Sequence, residues 1–270
     1  MQGDEIAVDT AALRGRLAEI LEEAGRVALS TFRGPLQHWT KDKSSPVSEA
    51  DIAVNELLHV RLLGATPGFG WLSEETVDDL SRTEAPFVWV VDPIDGTRAY
   101  IGEREDWSIS VALVAGDRPI LAGLYAPVTA EMFLAEAGRG ATRNDAPIGA
   151  SAGADLEAVR IAGPQGFLKT LEAVSPGLSP VPKIHSLALR LTRVAQGVID
   201  AALASGNSHD WDLAAADLLV HEAGGTITTW RGDSLVYNQR EPRHPPLVAA
   251  GRDRHRGLLE LVRDHAPDSA

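Results

Sequence analysis

The chain has 270 residues, 44% hydrophobic and 23% charged, enough for a sizeable core in one large domain or two subdomains. Its formal charge of -13 argues against a nucleic-acid polymer as partner, because phosphate backbones repel such a surface. There is no cysteine, which excludes disulfide and thiol chemistry, and no apolar run approaches the roughly 18 residues of a membrane span.

The acidic first ten residues lack the apolar core of a secretion signal, so a cytoplasmic location is expected. Leu13, Leu17, Ile20, Ala24 and Val27 recur at three- and four-residue spacing. They predict an amphipathic helix over 10–32, stopped by Gly34-Pro35. The polar stretch 38–47 predicts a loop or hairpin. Ser48 reads as the N-cap of a helix that ends at Gly64. Residues 69–75, FGWLSEE, predict a short strand running into Glu74 and Glu75, and 87–91 a buried strand. Residues 108–115, 120–125 and 132–137 predict three strands of an antiparallel meander. Trp71, Trp89 and Trp107 lie on apolar stretches and are expected in the core.

The stretch 144–156 reads as the boundary between halves 1–145 and 146–270. Beyond it, strands are expected at 159–163, 198–204, 226–230 and 246–251. Helices are expected at 167–174, 186–197, 212–225 and 256–265. That alternation predicts an α/β layer following an α+β first half.

VVDPIDGT, residues 90–97, ends an apolar strand with Asp92 and Asp95 around Pro93 and Ile94, then Gly96 and Thr97. Read alone, it fits a β-turn as well as a site. Three further acidic groups also sit at element ends: Glu74-Glu75, Asp51 and Asp210-Trp211-Asp212. Each alone reads as a solvated pair or a helix cap. Carboxylates brought together raise one another's pKa, and a hard cation relieves this. With no cysteine and scattered histidines, an all-oxygen ligand set suits Mg2+. Exposed amides after Gly96 would suit a phosphate.

DPIDGT (92–97), SEE (73–75) and WDLAAADLLVHEAGG (211–225) resemble, in order and spacing, the signature elements of the inositol monophosphatase superfamily. The resemblance runs from about residue 10 to about residue 255. It implies a Mg2+-dependent, lithium-sensitive phosphomonoesterase with a layered α-β-α-β-α sandwich, the site lying between the halves. It implies two or three Mg2+ ions. Glu74, Asp92 and the Ile94 carbonyl would hold the first, and Asp92, Asp95 and Asp212 the second. Thr97, bonded to Asp51, would act with Glu74 on the attacking water, and the Gly96 and Thr97 amides would bind phosphate. Glu75 would lie outside the ligand set. A monomer and a homodimer are both compatible with the superfamily.

Inositol monophosphatases carry a Glu ahead of the WD motif. Here the stretch AALASGNSHDWD (201–212) offers Ala204 or Ser205. Residues 41–58 and 118–141 look closer to the bacterial 3'(2'),5'-bisphosphate nucleotidase branch, which removes the 3'-phosphate of adenosine 3',5'-bisphosphate. The alternatives are an inositol-1-monophosphatase, a histidinol-phosphate phosphatase, and a metal-binding regulatory protein without activity. The pairing of Thr97 with Asp51 speaks for an enzyme over the last. A substrate with two phosphates needs a second cationic site, for which Lys41, Lys43 and Arg190 are the candidates. His209 and His221 read as structural, and Arg98 as solvated.

Overall fold

The computed structural model describes residues 8–41 and 45–265. Helix α1 (Thr10–Thr31) starts where the Asp9 carboxylate accepts the Ala12 amide. A hairpin of β1 (His38–Lys41) and β2 (Ser45–Ser48) leads into α2 (Glu49–Ala65). β3 (Gly70–Ser73) and β4 (Phe87–Asp95) follow, then the short α3 (Thr97–Ile101). The meander is β5 (Ser108–Ala115), β6 (Arg118–Ala126) and β7 (Glu131–Glu136), extended by β8 (Ala141–Arg143) and β9 (Ala146–Pro147). β3 to β9 form one seven-stranded sheet in sequence order.

The chain then crosses to a second sheet. Its elements are β10 (Val159–Ala162), α4 (Gln165–Val174), β11 (Leu178–Pro180), α5 (Leu187–Ala195) and β12 (Ala201–Ala204). β13 (Ser208–His209) precedes α6 (Asp210–Glu222) and β14 (Gly225–Thr229). β15 (Arg243–His244), β16 (Leu247–Gly251) and α7 (Arg252–His265) close the described chain. The second sheet has five strands, ordered β11-β10-β12-β16-β14, and β13 pairs with β15 separately.

Packing orders these elements into five layers. α1 and α2 cover one face of the first sheet, burying Leu17, Leu21, Val54 and Leu58 with Trp89 and Val111. Gly123 of β6 makes room for α1, since a Cβ there would run into Leu17 and Leu21. α5 and α6 fill the space between the sheets, and the core there takes Val90 and Leu124 from one and Ala202 and Ala249 from the other. α4 and α7 cover the outer face of the second sheet, around Ile161, Leu171 and Leu258. Fully burying a Leu or Val contributes about 1.5–3 kcal/mol. This is the α-β-α-β-α sandwich the sequence leads one to expect.

The differences are local. The buried strand expected over 87–91 continues to Asp95, and its pairing with β5 is irregular between Asp92 and Asp95. The strand expected over 198–204 is regular only from Ala201, because Val198 to Asp200 form the turn after α5. Trp89 and Trp107 are fully buried, whereas Trp71 is half-buried on β3 and packs edge-on against His59.

Candidate active site

The site begins with a register. β3 runs parallel to β4 with Ser73 opposite Val91, so the next residue, Glu74, falls beside Asp92. The Glu74 amide donates to the Val91 carbonyl at 3.3 Å, fixing the backbone there. Within β4 the irregular pairing turns the 92–95 segment so that Asp92 and Asp95 share one pocket. Gly96 follows at φ 97°, a conformation few residues other than glycine adopt. A Cβ there would also press on the backbone of Ser186 and Asp106, so glycine lets α5 approach.

Four aspartates of the site are held by backbone or hydroxyl donors. Asp95 reaches across to the start of α5. Its Oδ2 accepts the Ser186 hydroxyl and the Ala188 amide, both at 2.6 Å, and its Oδ1 accepts the Leu187 amide at 3.2 Å. Asp92 Oδ1 accepts the Ile94 amide at 3.1 Å. Asp212, in the first turn of α6, accepts the His209 amide at 2.6 Å. Asp51 Oδ2 closes a capping box, accepting the Ser48 amide at 2.8 Å and its hydroxyl at 2.6 Å. The Thr97 hydroxyl lies 3.1 Å from Asp51 Oδ1 and 3.2 Å from the Ile94 carbonyl.

Oxygens of Asp92, Asp95 and Asp212 all lie within 4.8 Å of one another. Glu74, Ile94, Gly96 and Thr97 line the same pocket, of about 310 Å³, as do Arg98, Lys183, His185 and Arg190. The electrostatics follow from crowding. Burial and then Asp212 and Glu75 push Glu74 up to about 8. Burial and then Asp95 push Asp212 up to about 7. Asp92, surrounded by Glu74, Asp95, Asp212 and Asp51, is held well above the carboxylate range, first by burial. Asp95 and Asp51 are raised by burial against the opposing pull of their donors. An all-oxygen set of such groups fits a hard divalent cation, which returns them to the charged form.

The residues singled out from the sequence do not all converge. Lys41 does not line the pocket: it pairs with the buried Glu75, and its Nζ lies 3.3 Å from the Glu74 carbonyl. Glu75 is thereby engaged by Lys41, beside Glu74, and does not line the pocket. Lys43 lies outside the described residues. Arg190 lines the pocket, but its guanidinium donates to the Leu203 and Ile184 carbonyls at 3.1 Å each. Lys183 and His185 were not singled out as candidates. His185 carries a local signal only in three dimensions, where its Nδ1 lies 2.7 Å from Asp106. His209 stacks on Trp211 with its Nδ1 3.9 Å from Asp212, His221 pairs with Asp217, and neither histidine lines the pocket.

The family model described as "Inositol monophosphatase family" matches residues 8–266. A 3'(2'),5'-bisphosphate nucleotidase CysQ of Aggregatibacter actinomycetemcomitans is 31% identical, over 86% of this chain and 90% of its own. An inositol-1-monophosphatase of Caulobacter vibrioides is 32% identical over 84% and 91%. A Streptomyces griseus protein named glucose-1-phosphate thymidylyltransferase is 35% identical over 93% and 95%. Among solved structures, the extragenic suppressor protein suhB of Bartonella henselae superposes with a TM-score of 0.83 at 28% identity, covering 93% of this chain and 98% of that one. No helix among the described residues is long and apolar enough to cross a membrane. With the family's match running nearly end to end over a sandwich whose carboxylates meet between its sheets, the chain belongs to the inositol monophosphatase family of phosphomonoester hydrolases.

Proposed function

We propose that the chain is a Mg2+-dependent phosphomonoesterase that hydrolyses the 3'-phosphate of adenosine 3',5'-bisphosphate. The observation that carries this reading is the mixed charge of one pocket. Four carboxylates, Glu74, Asp92, Asp95 and Asp212, share it with the cations Arg98, Lys183 and Arg190. Such a pocket suits a substrate with an anionic group besides the one under attack. The stretch 201–209 supports the same choice, having no glutamate to receive inositol hydroxyls.

In this reading Glu74, Asp92 and the Ile94 carbonyl would hold one Mg2+, and Asp92, Asp95 and Asp212 would hold another. When bound, the ions supply Lewis-acid polarisation of the phosphoryl oxygens and a water of lowered pKa. The chain does the rest. The Thr97 hydroxyl hydrogen faces Asp51 and the Ile94 carbonyl, leaving its lone pairs to accept from a water. Asp51, pinned by Ser48, keeps that hydroxyl oriented. Glu74 takes the water's proton as the water's oxygen bonds to phosphorus; the bond from phosphorus to the 3'-oxygen breaks, that oxygen leaves as a hydroxyl with a proton from solvent, and the Gly96 and Thr97 amides receive the phosphate. The two halves, 1–145 and 146–270, meet at this site, and the cytoplasmic location belongs to the same proposal.

The test compares kcat/KM for adenosine 3',5'-bisphosphate and inositol 1-phosphate, with Mg2+ and with chelator. A preference for the bisphosphate that vanishes on chelation is expected. A preference for inositol 1-phosphate overturns the substrate, and Mg2+-independent turnover overturns the metal.

A further inference from the structure

Beside the metal pocket lies a larger groove of about 620 Å³, walled by Val181, Pro182, Ile184, Leu189 and Val198. Lys183 lines both. The partition between them is the segment 181–185, and it is firmly held. The Val181 amide donates to the Ile161 carbonyl at 2.9 Å, the His185 amide to Asp106 at 2.8 Å, and the Ile184 carbonyl accepts from Arg190 at 3.1 Å. His185 faces the metal pocket while its partner Asp106 faces the groove.

The other cations of the groove are committed. Arg193 bonds Glu131 at 2.5 and 2.8 Å, and Arg104 pairs with Asp106 at 3.1 Å. Lys183 is exposed and makes no ion pair or hydrogen bond among the described residues. An uncommitted ammonium at the mouth of an acidic pocket, next to an apolar wall, is matched by a ligand with an anion next to an apolar face. A polyol is not so matched, because its hydroxyls would lose water against Val181 and Leu189 without partners. The metal pocket is also small. Its volume of about 310 Å³ is at the lower end of ligand sites, roughly 300–1,000 Å³, before the ions and the scissile phosphoryl group take their share.

We infer that Lys183 and the adjoining groove together seat the leaving group, and that this leaving group is a nucleoside monophosphate: Lys183 takes its remaining phosphate and the apolar wall takes its base. This rests on the phosphatase reading above and names the parts of the chain that choose the substrate. The wall is anchored before the ligand arrives, so little ordering opposes binding.

The test uses the full chain with Mg2+ and two variants, Lys183→Met, which keeps the aliphatic stem, and Val198→Trp, which fills the groove from a half-exposed position. Calorimetric titration with adenosine 5'-monophosphate gives affinity, and kcat and KM are measured for adenosine 3',5'-bisphosphate and for glycerol 2-phosphate. Loss of a charge-assisted contact is expected to weaken the monophosphate about tenfold in Lys183→Met. Filling the wall is expected to weaken it about tenfold in Val198→Trp. For the bisphosphate the loss is expected in KM, lowering its kcat/KM relative to glycerol 2-phosphate by the same factor. Wild-type affinity in both variants, or equal losses on both esters, overturns the inference. Loss in Lys183→Met alone overturns the groove half, and loss in Val198→Trp alone overturns the lysine half. Failure of the wild type to release phosphate from any ester sinks the phosphatase reading instead, and the calorimetric titrations still decide the seat.

Discussion

Asp95→Asn separates the two duties of one carboxylate. An asparagine can place its oxygen where Oδ2 stands and keep the Ser186 and Ala188 bonds. Its NH2 then faces the Leu187 amide, so the 3.2 Å bond is lost. A hydrogen bond to a charged group contributes about 1.5–3 kcal/mol and a neutral one about 0.5–1.5, so this side of the ledger is destabilising. Against it, the substitution removes a buried charge beside Asp92 and Asp212 that burial already disfavours. The two effects oppose each other, and the metal-free variant is expected within about 2 kcal/mol of wild type, or about 4–8 °C in Tm. Mg2+ is the discriminating ligand. At a hundred times Kd it is expected to stabilise the wild type by about 2.7 kcal/mol, a shift of about 5–11 °C. The variant is expected to lose most of that shift and nearly all phosphate release. Thermal melts with and without Mg2+, beside a phosphate-release assay, measure both. A variant that melts with the wild-type Mg2+ shift and turns over normally refutes the assignment of Asp95.

Other outcomes follow from the same geometry. Thr97→Ala is expected to lower kcat by about 10²–10⁴ while keeping the Mg2+-induced Tm shift, since a water-orienting group is lost and no ligand is; a lost shift with unchanged kcat would make Thr97 structural. Metal-free protein is expected to lose stability as pH rises from about 4.5 to 8, because Glu74 and Asp212 hold protons in the folded state, to about 8 and about 7, that the unfolded chain has released; chemical denaturation across that range, with chelator, should show the fall, and Mg2+ should remove most of it. Arg82 is buried and binds Asp78, Asn238 and the Gln239 carbonyl, so Arg82→Met should cost about 3 kcal/mol, or about 6–12 °C in Tm, with no change in KM. Lithium chloride is expected to inhibit phosphate release at saturating Mg2+, and full activity in its presence would set this chain apart from the lithium-sensitive members of its superfamily.

What the sequence made legible was local. The stripe of Leu17, Ile20 and Ala24 and the cap at Ser48 are decided within a few residues, and the helices they predict are present. The carboxylates were legible because each sits at the end of a regular element, where periodicity stops and a charge needs a reason. What escaped depends on residues far apart in the chain. Lys41 reads as a free cation until the fold sets it against Glu75, 34 positions away. Lys183 and His185 occupy a segment without periodicity, and only the docking of 181–185 against Asp106 and Ile161 gives them a place. The short strands β8, β9, β11, β13 and β15 have two or three residues each, too few for alternation to show.

The reach of Asp95 across to α5 has a consequence in time. Its three partners lie more than 90 positions downstream, and Asp212 lies 138 positions after Glu74. At about 5–20 residues per second, a ribosome takes roughly 7–28 s to travel from Glu74 to Asp212. During that interval the first sheet can assemble from neighbouring strands, but the acidic end of β4 has neither its donors nor its last carboxylate. A nascent first half therefore carries Glu74, Asp92, Asp95, Thr97 and Asp51 but lacks the three donors of Asp95 and the carboxylate of Asp212. On the proposed reading the carboxylate cluster is complete only once the second half is made, so a chain ending before Asp212 is expected to release no phosphate.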